Sequence, residues 1–186
     1  MEKEFRQEMK IPKDRVGVLI GKKGEIKKYI EQKANIKLEI DSKTGDVALI
    51  GEDSVVLYET KNIVAAVGRG FAPEIAFQLF NENNVLELMD INNYSGKSQK
   101  KFERLKGRVI GSAGKARRMI EDMTETNISV YGKTISIIGD IENAAMARRA
   151  IDQLLSGSPH GTVYKWLENK RREMHRKVFE THGTDF

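Results

Sequence analysis

The sequence predicts an α+β protein in which one unit, ordered β-α-α-β-β-α, is used twice and followed by a basic amphipathic helix. Three observations predict it. Gly17-Val18-Leu19-Ile20-Gly21-Lys22-Lys23-Gly24 recurs ninety positions on as Gly107-Arg108-Val109-Ile110-Gly111-Ser112-Ala113-Gly114. The segments after each copy show the same succession of helical and alternating hydrophobic periods. The length differences fall in connections: Ile30-Glu31 matches Ile120-Glu121 at the same offset, Asn35-Ile36 matches Asn127-Ile128 with two residues added, and Ile50-Gly51 matches Ile138-Gly139 with the offset shortened. A duplicated module explains all three, and it organises every later assignment.

Each copy opens with a short extended stretch, Phe5 to Ile11 and Leu86 to Ile91, leading into a helix that follows Pro12 in the first copy. That helix stops at Gly-x-x-Gly, because glycine supplies the positive φ that ends a helix with little strain. A second helix follows: Ile26, Tyr29 and Ile30 share one face of Glu25 to Lys33, as do Ala116, Met119, Ile120 and Met123 in the other copy. Two strands come next. Ile36, Leu38 and Ile40 alternate with Lys37 and Glu39, and Val47 to Ile50 follows the turn-forming Ser42-Lys43-Thr44-Gly45. The second copy has Ile128 to Tyr131, the turn Gly132-Lys133, and Ile135 to Ile138. Longer helices close the copies, Asp53 to Val67 and Ile141 to Leu155. Between the copies, Gly68 to Pro73 breaks the first closing helix, and a further amphipathic helix is expected from Glu74 to Phe80. Asn92 to Ser98 reads as an inserted loop. After Ser156-Gly157-Ser158-Pro159-His160-Gly161, the stripe Val163, Trp166 or Leu167, Met174 and Val178 lies opposite Lys165, Arg172 and Arg176.

The chain has 186 residues, net charge +5 and no cysteine, which excludes disulfides, a cysteine nucleophile and thiolate-bound metals. No apolar run approaches a membrane span and no signal-peptide pattern opens the sequence, so a soluble, cytoplasmic protein without a membrane partner is expected. Charge is unevenly placed. Residues 1–92 hold 14 Lys and Arg against 16 Asp and Glu, whereas residues 93–186 hold 18 against 11. A polyanion would be held mainly by the second half.

A Gly-x-x-Gly turn between two helices has a use. Its glycines let main-chain amides approach a phosphodiester with no Cβ in the way, and the next helix N-terminus favours an anion. The pattern Ile20-Gly21-Lys22-Lys23-Gly24 and Ile110-Gly111-Ser112-Ala113-Gly114, each followed by a basic helix and two strands, resembles the K-homology (KH) domain. The element order is that of the type I form found in eukaryotic hnRNP-like proteins. Two connecting segments, Gly68-Arg69-Gly70-Phe71-Ala72-Pro73-Glu74 and Ser156 to Tyr164, narrow the resemblance to the partner-of-Nob, or Dim-type, KH ribosome-assembly proteins, especially the archaeal members.

The resemblance implies two tandem type I KH domains, residues 1–83 and 84–157, with a basic helix and tail at 158–186. It implies single-stranded RNA binding, specifically ribosomal RNA near the 3′ end of the small-subunit RNA, in ribosome biogenesis. A maturation nuclease and the alpha subunit of translation initiation factor two are the implied protein partners. The implied RNA-binding residues are Gly21, Lys22, Lys23, Gly24 and Lys27 in the first domain. In the second they are Arg108, Gly111, Ser112, Ala113, Gly114, Lys115, Arg117 and Arg118. Val18, Ile20 and Leu38 would floor the first groove, and Arg108, Ile110 and Val130 the second, with Arg108 able to hydrogen-bond a base edge or stack on it. The second loop carries no basic residue at its centre, so its charge has to come from Arg108, Lys115, Arg117 and Arg118. Even so, regional charge favours the second module for affinity.

Other signals lead nowhere. Gly111 to Lys115 lacks the earlier glycine and the following Ser or Thr of a P-loop. Pro73 stands where Gly68-x-Gly70 would need a third glycine. His160, His175 and His182 are too scattered for a metal triad. Glu121 and Asp122 read as helix surface, and Trp166 as a packing anchor. No acid–base or nucleophile constellation appears, so no enzyme and no cofactor are expected. A translational or mRNA regulator, a single-stranded DNA binder and a protein-interaction scaffold remain as alternatives.

Overall fold

Alternation of half-buried and exposed side chains makes Phe5–Lys10 an edge strand, and Pro12 turns the chain into the first helix. The computed structural model describes residues 4–182. In order it holds β1 (Phe5–Lys10), α1 (Lys13–Ile20), α2 (Glu25–Ala34), β2 (Lys37–Ile40), β3 (Asp46–Gly51), α3 (Ser54–Gly68) and α4 (Pro73–Ala76), the last continued by a 3-10 turn, Phe77–Phe80. Then come β4 (Asn84–Asp90), α5 (Asn92–Ser95), α6 (Gln99–Ile110), α7 (Lys115–Thr124), β5 (Asn127–Tyr131), β6 (Thr134–Asp140), α8 (Ile141–Leu155) and α9 (His160–His182). Contacts divide the chain between Leu86 and Glu87 into two compact units. None of the described helices is long and apolar enough to cross a membrane.

In the first unit the sheet order is β1-β3-β2. The apolar run Val47-Ala48-Leu49 is buried because β3 is central, with antiparallel neighbours on both sides. Val16, Leu19, Ile30, Leu38, Leu57, Ile63 and Val67 complete the core. Removing this much apolar surface from water is the main stabilising term. Another face carries exposed ion pairs, Arg6–Glu39 at 3.1 Å, Lys37–Glu39 at 2.9 Å and Lys10–Asp46 at 3.3 Å. Hydrogen bonds from Lys37 and then Arg6 hold the Glu39 carboxyl below the usual range. Solvent screening leaves such pairs little net effect on stability. Asp53 caps α3 by accepting from the Val55 N–H at 2.8 Å. The single helix expected from Glu74 to Phe80 is instead one α turn tightening into a 3-10 turn, which seats Phe77 against Tyr29 (ring centroids 4.5 Å apart).

The second unit repeats the plan with the order β4-β6-β5, and Ile135, Ile137 and Ile138 fill its central strand. Its opening helix is longer, 12 residues against 8. The segment expected as a loop, Asn92 to Ser98, holds the helical turn α5 and then Ser98, whose Oγ accepts from the Lys101 N–H at 3.2 Å and caps α6. Tyr94 in that turn donates to Asp152 at 2.6 Å, and burial first, then this bond, pushes its phenol up to about 12. Helix α9 packs on α7 and α8 through Val163 and Leu167. Of the alternatives at 166 and 167, Leu167 is the buried one. Trp166 is half-buried, with the Arg149 guanidinium 5.2 Å from its ring. The Val178 side chain expected on the same stripe lies outside the described residues.

The backbone corrects one detail of the repeat. Asn35 and Glu125 both end their helices in the left-handed region, at φ 51° and 52°. Ile36 and Thr126 both lie over the glycines Gly51 and Gly139. Asn35 therefore corresponds to Glu125 and Leu38 to Ile128, with no residues added there. The two-residue difference lies wholly in the following turn, since Lys37 pairs with Ile50 and Asn127 with Ile138.

Candidate nucleic-acid interface

The two Gly-x-x-Gly turns adopt one backbone conformation. Gly21, Lys23 and Gly24 have φ/ψ of 73/175, 55/24 and 80/15°, and Gly111, Ala113 and Gly114 have 71/174, 49/31 and 75/13°. In each turn the second glycine N–H donates to the first glycine C=O at 3.2 Å. Lys23 and Ala113 pay the left-handed penalty, roughly 1–2 kcal/mol for a residue with a Cβ. Two different central dipeptides held in the same strained shape mark the shape itself as what is kept. At the outer side of Gly24 there is room, since an added Cβ would meet nothing within 4 Å. Each turn leads directly into the N-terminus of α2 or α7.

Lys22, Lys23, Ser112, Ala113 and Lys115 are exposed at these turns, as expected of groups offered to a phosphate chain. Arg118 is also exposed and folds back, its Nη2 donating to the Ala113 carbonyl at 2.6 Å. Three other cations are engaged elsewhere. Lys27 lies 3.9 Å from Glu31, and Arg117 lies 3.6 Å from Glu121 with its Nε buried and too distant for a hydrogen bond. Arg108 departs furthest from expectation. Its Nε donates to the Leu154 carbonyl at 3.1 Å and its Nη2 to the Ser158 carbonyl at 2.6 Å, so it clamps the end of α8 rather than facing a base edge. The groove floor is narrower than expected as well. Leu38 is fully buried in the core, whereas Val18, Ile20, Ile110 and Val130 keep partial exposure.

Glu31 and Glu121 are the acids of the repeated Ile-Glu, and Glu121, expected as helix surface, does the same work as Glu31. Glu31 Oε1 accepts from the Leu38 N–H at 2.8 Å, and Glu121 Oε1 from the Ile128 N–H at 2.7 Å. Each carboxylate ties the second helix to the neighbouring strand and neutralises the basic residue one turn earlier. The signal was present, since Glu31/Glu121 and Lys27/Arg117 recur at the same ninety-residue spacing. A hydrogen bond to a charged group contributes about 1.5–3 kcal/mol. Glu121→Leu is therefore expected to lower the free energy of unfolding in urea by about that amount, while Glu121→Gln, which keeps a neutral acceptor, recovers part of it. Equal losses for both would show that the charge on Arg117, not the strand amide, is what the carboxylate serves.

Among the described residues, no three His, Asp or Glu side chains converge as a metal site. Sheet order, helix placement and paired turns define a tandem of type I KH domains. Residues 85–172 match the model described as eukaryotic type KH-domain (KH-domain type I), and residues 6–68 match the KH domain. A KH domain-containing protein of Methanocaldococcus jannaschii is 48% identical over 176 residues, spanning 92% of this chain and 77% of that protein. The RNA-binding protein pno1 of Dictyostelium discoideum is 28% identical over 171 residues, 89% and 72% of the two chains. The solved complex of Dim2p with a/eIF2alpha and rRNA from Pyrococcus horikoshii contains a chain 42% identical, with TM-score 0.85, covering 91% of this chain and 96% of that one. The chain belongs to the Dim2/PNO1 family of KH proteins.

Proposed function

We propose that this chain binds single-stranded RNA from the 3′-terminal region of small-subunit ribosomal RNA and acts in ribosome biogenesis as a binding protein rather than an enzyme. The observation that carries the reading is the shared conformation of the two Gly-x-x-Gly turns, in a family whose members are named RNA-binding and pre-rRNA-processing proteins. Each KH domain, residues 1–83 and 84–157, clamps about four nucleotides by the backbone. Gly21 to Gly24 and Gly111 to Gly114 grip phosphates. Lys22, Lys23, Lys115 and Arg118 supply charge, and the segment 158–186 adds the exposed cations Lys165 and Arg172. The Pyrococcus complex names a/eIF2alpha beside rRNA, and the corresponding alpha subunit is the protein partner proposed here, together with a maturation nuclease.

The test is a titration of the full chain with a labelled single strand copying the 3′ end of small-subunit ribosomal RNA, against an unrelated strand of equal length. Lys22→Asp with Lys23→Asp, and separately Ser112→Asp with Ala113→Asp, place carboxylates where phosphates pass. Each pair is expected to weaken binding by about tenfold or more at moderate salt. The second pair is expected to cost more, because α9 adds cations to the second unit. Full retention of affinity by both double variants would remove the turns from the interface.

A further inference from the structure

Between α6 and the end of α8 lies a cavity of about 490 Å³ whose lining includes no residue of the glycine turn. Leu105 and Leu155, each 3% exposed, form its floor, and Tyr94, held by its bond to Asp152 at 2.6 Å, forms a wall. Lys101 and Arg104 stand at the rim, three residues apart on one face of α6. Both are exposed, and neither side chain has an ion-pair or hydrogen-bond partner among the described residues. The first unit has nothing like it. Ninety positions earlier stand the buried Ile11 and the acid Asp14. The parts present only in the second unit, α5 and the extra first turn of α6, supply Tyr94 and Lys101. The cavity therefore lies outside the apparatus that the two units share.

The donors around it select the occupant. At the glycine turns main-chain amides are offered outward, whereas at the end of α8 they point back into the helix. The Ser156 N–H donates to the Asp152 carbonyl at 2.9 Å, Gly157 to Leu154 at 3.2 Å and Ser158 to Gln153 at 2.9 Å. No amide of this link is left for a phosphate, and two leucines offer no hydrogen bond to a base edge. What remains is an apolar floor beneath two free cations. Arg108, bonded to the Leu154 and Ser158 carbonyls, lines the same cavity and covers the negative end of α8, which would otherwise repel an acid. We propose that this cavity docks a short acidic segment of a protein partner, an aliphatic side chain resting on Leu105 and Leu155 and flanking carboxylates pairing with Lys101 and Arg104. Burial of the aliphatic group supplies most of the affinity, and the rim charges choose the partner. The site does not depend on the reading of the glycine turns as phosphate sites.

The experiment follows the amide signals of the full, nitrogen-15-labelled chain as a short peptide of Glu and Asp around one central Leu is added. Two control peptides carry Ser in place of that Leu, or Gln and Asn in place of the acids. The Leu peptide is expected to shift Lys101, Leu105, Ser156 and Gly157 saturably, and each control to bind about tenfold more weakly. Lys101→Glu combined with Arg104→Glu should weaken the Leu peptide at least tenfold, with an unchanged thermal melt because both side chains are exposed and unpaired. The same variant should keep wild-type affinity for the ribosomal 3′-end strand. Absence of saturable shifts at these residues, or equal binding of the Leu and Ser peptides, would overturn the proposal. A variant that loses RNA affinity as far as peptide affinity would assign the cavity to nucleic acid and overturn it as well. Failure of the wild type to bind the RNA strand, with peptide binding intact, would remove the reading of the turns and leave this site standing.

Discussion

Gly111→Ala is expected to be among the most damaging single substitutions in the chain, costing about 3–4 kcal/mol, whereas Gly114→Ala, three residues away, should cost about 1–2 kcal/mol. The difference follows from backbone angles and space. Gly111 sits at φ 71° and ψ 174°, a region open essentially to glycine alone, where other residues store about 1–3 kcal/mol of strain. Its added Cβ would also lie 2.6 Å from both the Ala116 backbone nitrogen and the Ala116 Cβ, and the backbone cannot yield without moving the start of α7. Overpacking of this kind adds about 1–3 kcal/mol. Gly114 is in the ordinary left-handed region, and its Cβ would find only the end of Arg118 at 3.6 Å. The first unit should repeat the contrast, since a Cβ on Gly21 would approach the Ile26 backbone nitrogen to 2.9 Å while Gly24 is open. Urea unfolding of the full chain, followed by probes within the affected unit, checks both pairs. Equal costs at Gly111 and Gly114 would mean that the turn relaxes freely and that its conformation is not the shared feature it is taken to be.

The same reasoning explains what the sequence disclosed and what it hid. The glycines of both turns were legible because Gly21 and Gly111 hold angles open essentially to glycine alone and Gly24 and Gly114 a left-handed conformation that glycine adopts with least strain, so the repeat survives where the backbone demands it. The helix ends were less legible. Asn35 and Glu125 occupy the same left-handed position, and their different side chains allowed Asn35 to be matched to Asn127, two residues away, a slip that preserves strand alternation and so raises no conflict. Cation roles were the least legible of all. The KH resemblance placed Arg108, Arg117 and Lys27 among the RNA-binding residues, and in the structure each also has a carboxylate or helix carbonyl beside it that the resemblance did not disclose. Glu31 and Glu121 were near in sequence and could have been paired with Lys27 and Arg117 as i, i+4 partners. The carbonyls of Leu154 and Ser158 were 46 and 50 residues from Arg108, and no periodicity reports that contact.

Arg108→Met is the second substitution with a large expected effect, and it separates the structural role from the one that charge suggested. The first unit contains the same clamp built from a different position. Arg15 Nε donates to the Val67 carbonyl at 2.8 Å and its Nη2 to the Phe71 carbonyl at 2.7 Å. By the ninety-residue offset, Arg15 corresponds to Leu105 and Arg108 to Val18, so the two arginines stand about one helical turn apart on equivalent helices. Both nevertheless span the carboxyl end of the closing helix and the chain leaving it. Val67 and Leu154 lie in the last turns of their helices, at the negative end of the dipole, where each carbonyl also accepts from a glycine N–H (Gly70 at 3.1 Å, Gly157 at 3.2 Å), and the fixed two-pronged cation joins that carbonyl to one in the chain beyond the helix. Losing two such bonds in a half-buried site is expected to cost about 2–4 kcal/mol. Arg108→Lys should recover only part of it, because one ammonium cannot reproduce the planar fork. Ser158 belongs to the link that carries α9, and the His160 ring nitrogen lies 2.8 Å from the Arg108 carbonyl oxygen. Arg108→Met should therefore raise amide exchange at the start of α9. It should lower RNA affinity through that looseness while leaving the salt slope as it was. A variant that kept its stability and instead lost preference among bases would put the guanidinium in the groove after all, and the clamp at α8 would then be a resting contact that RNA displaces.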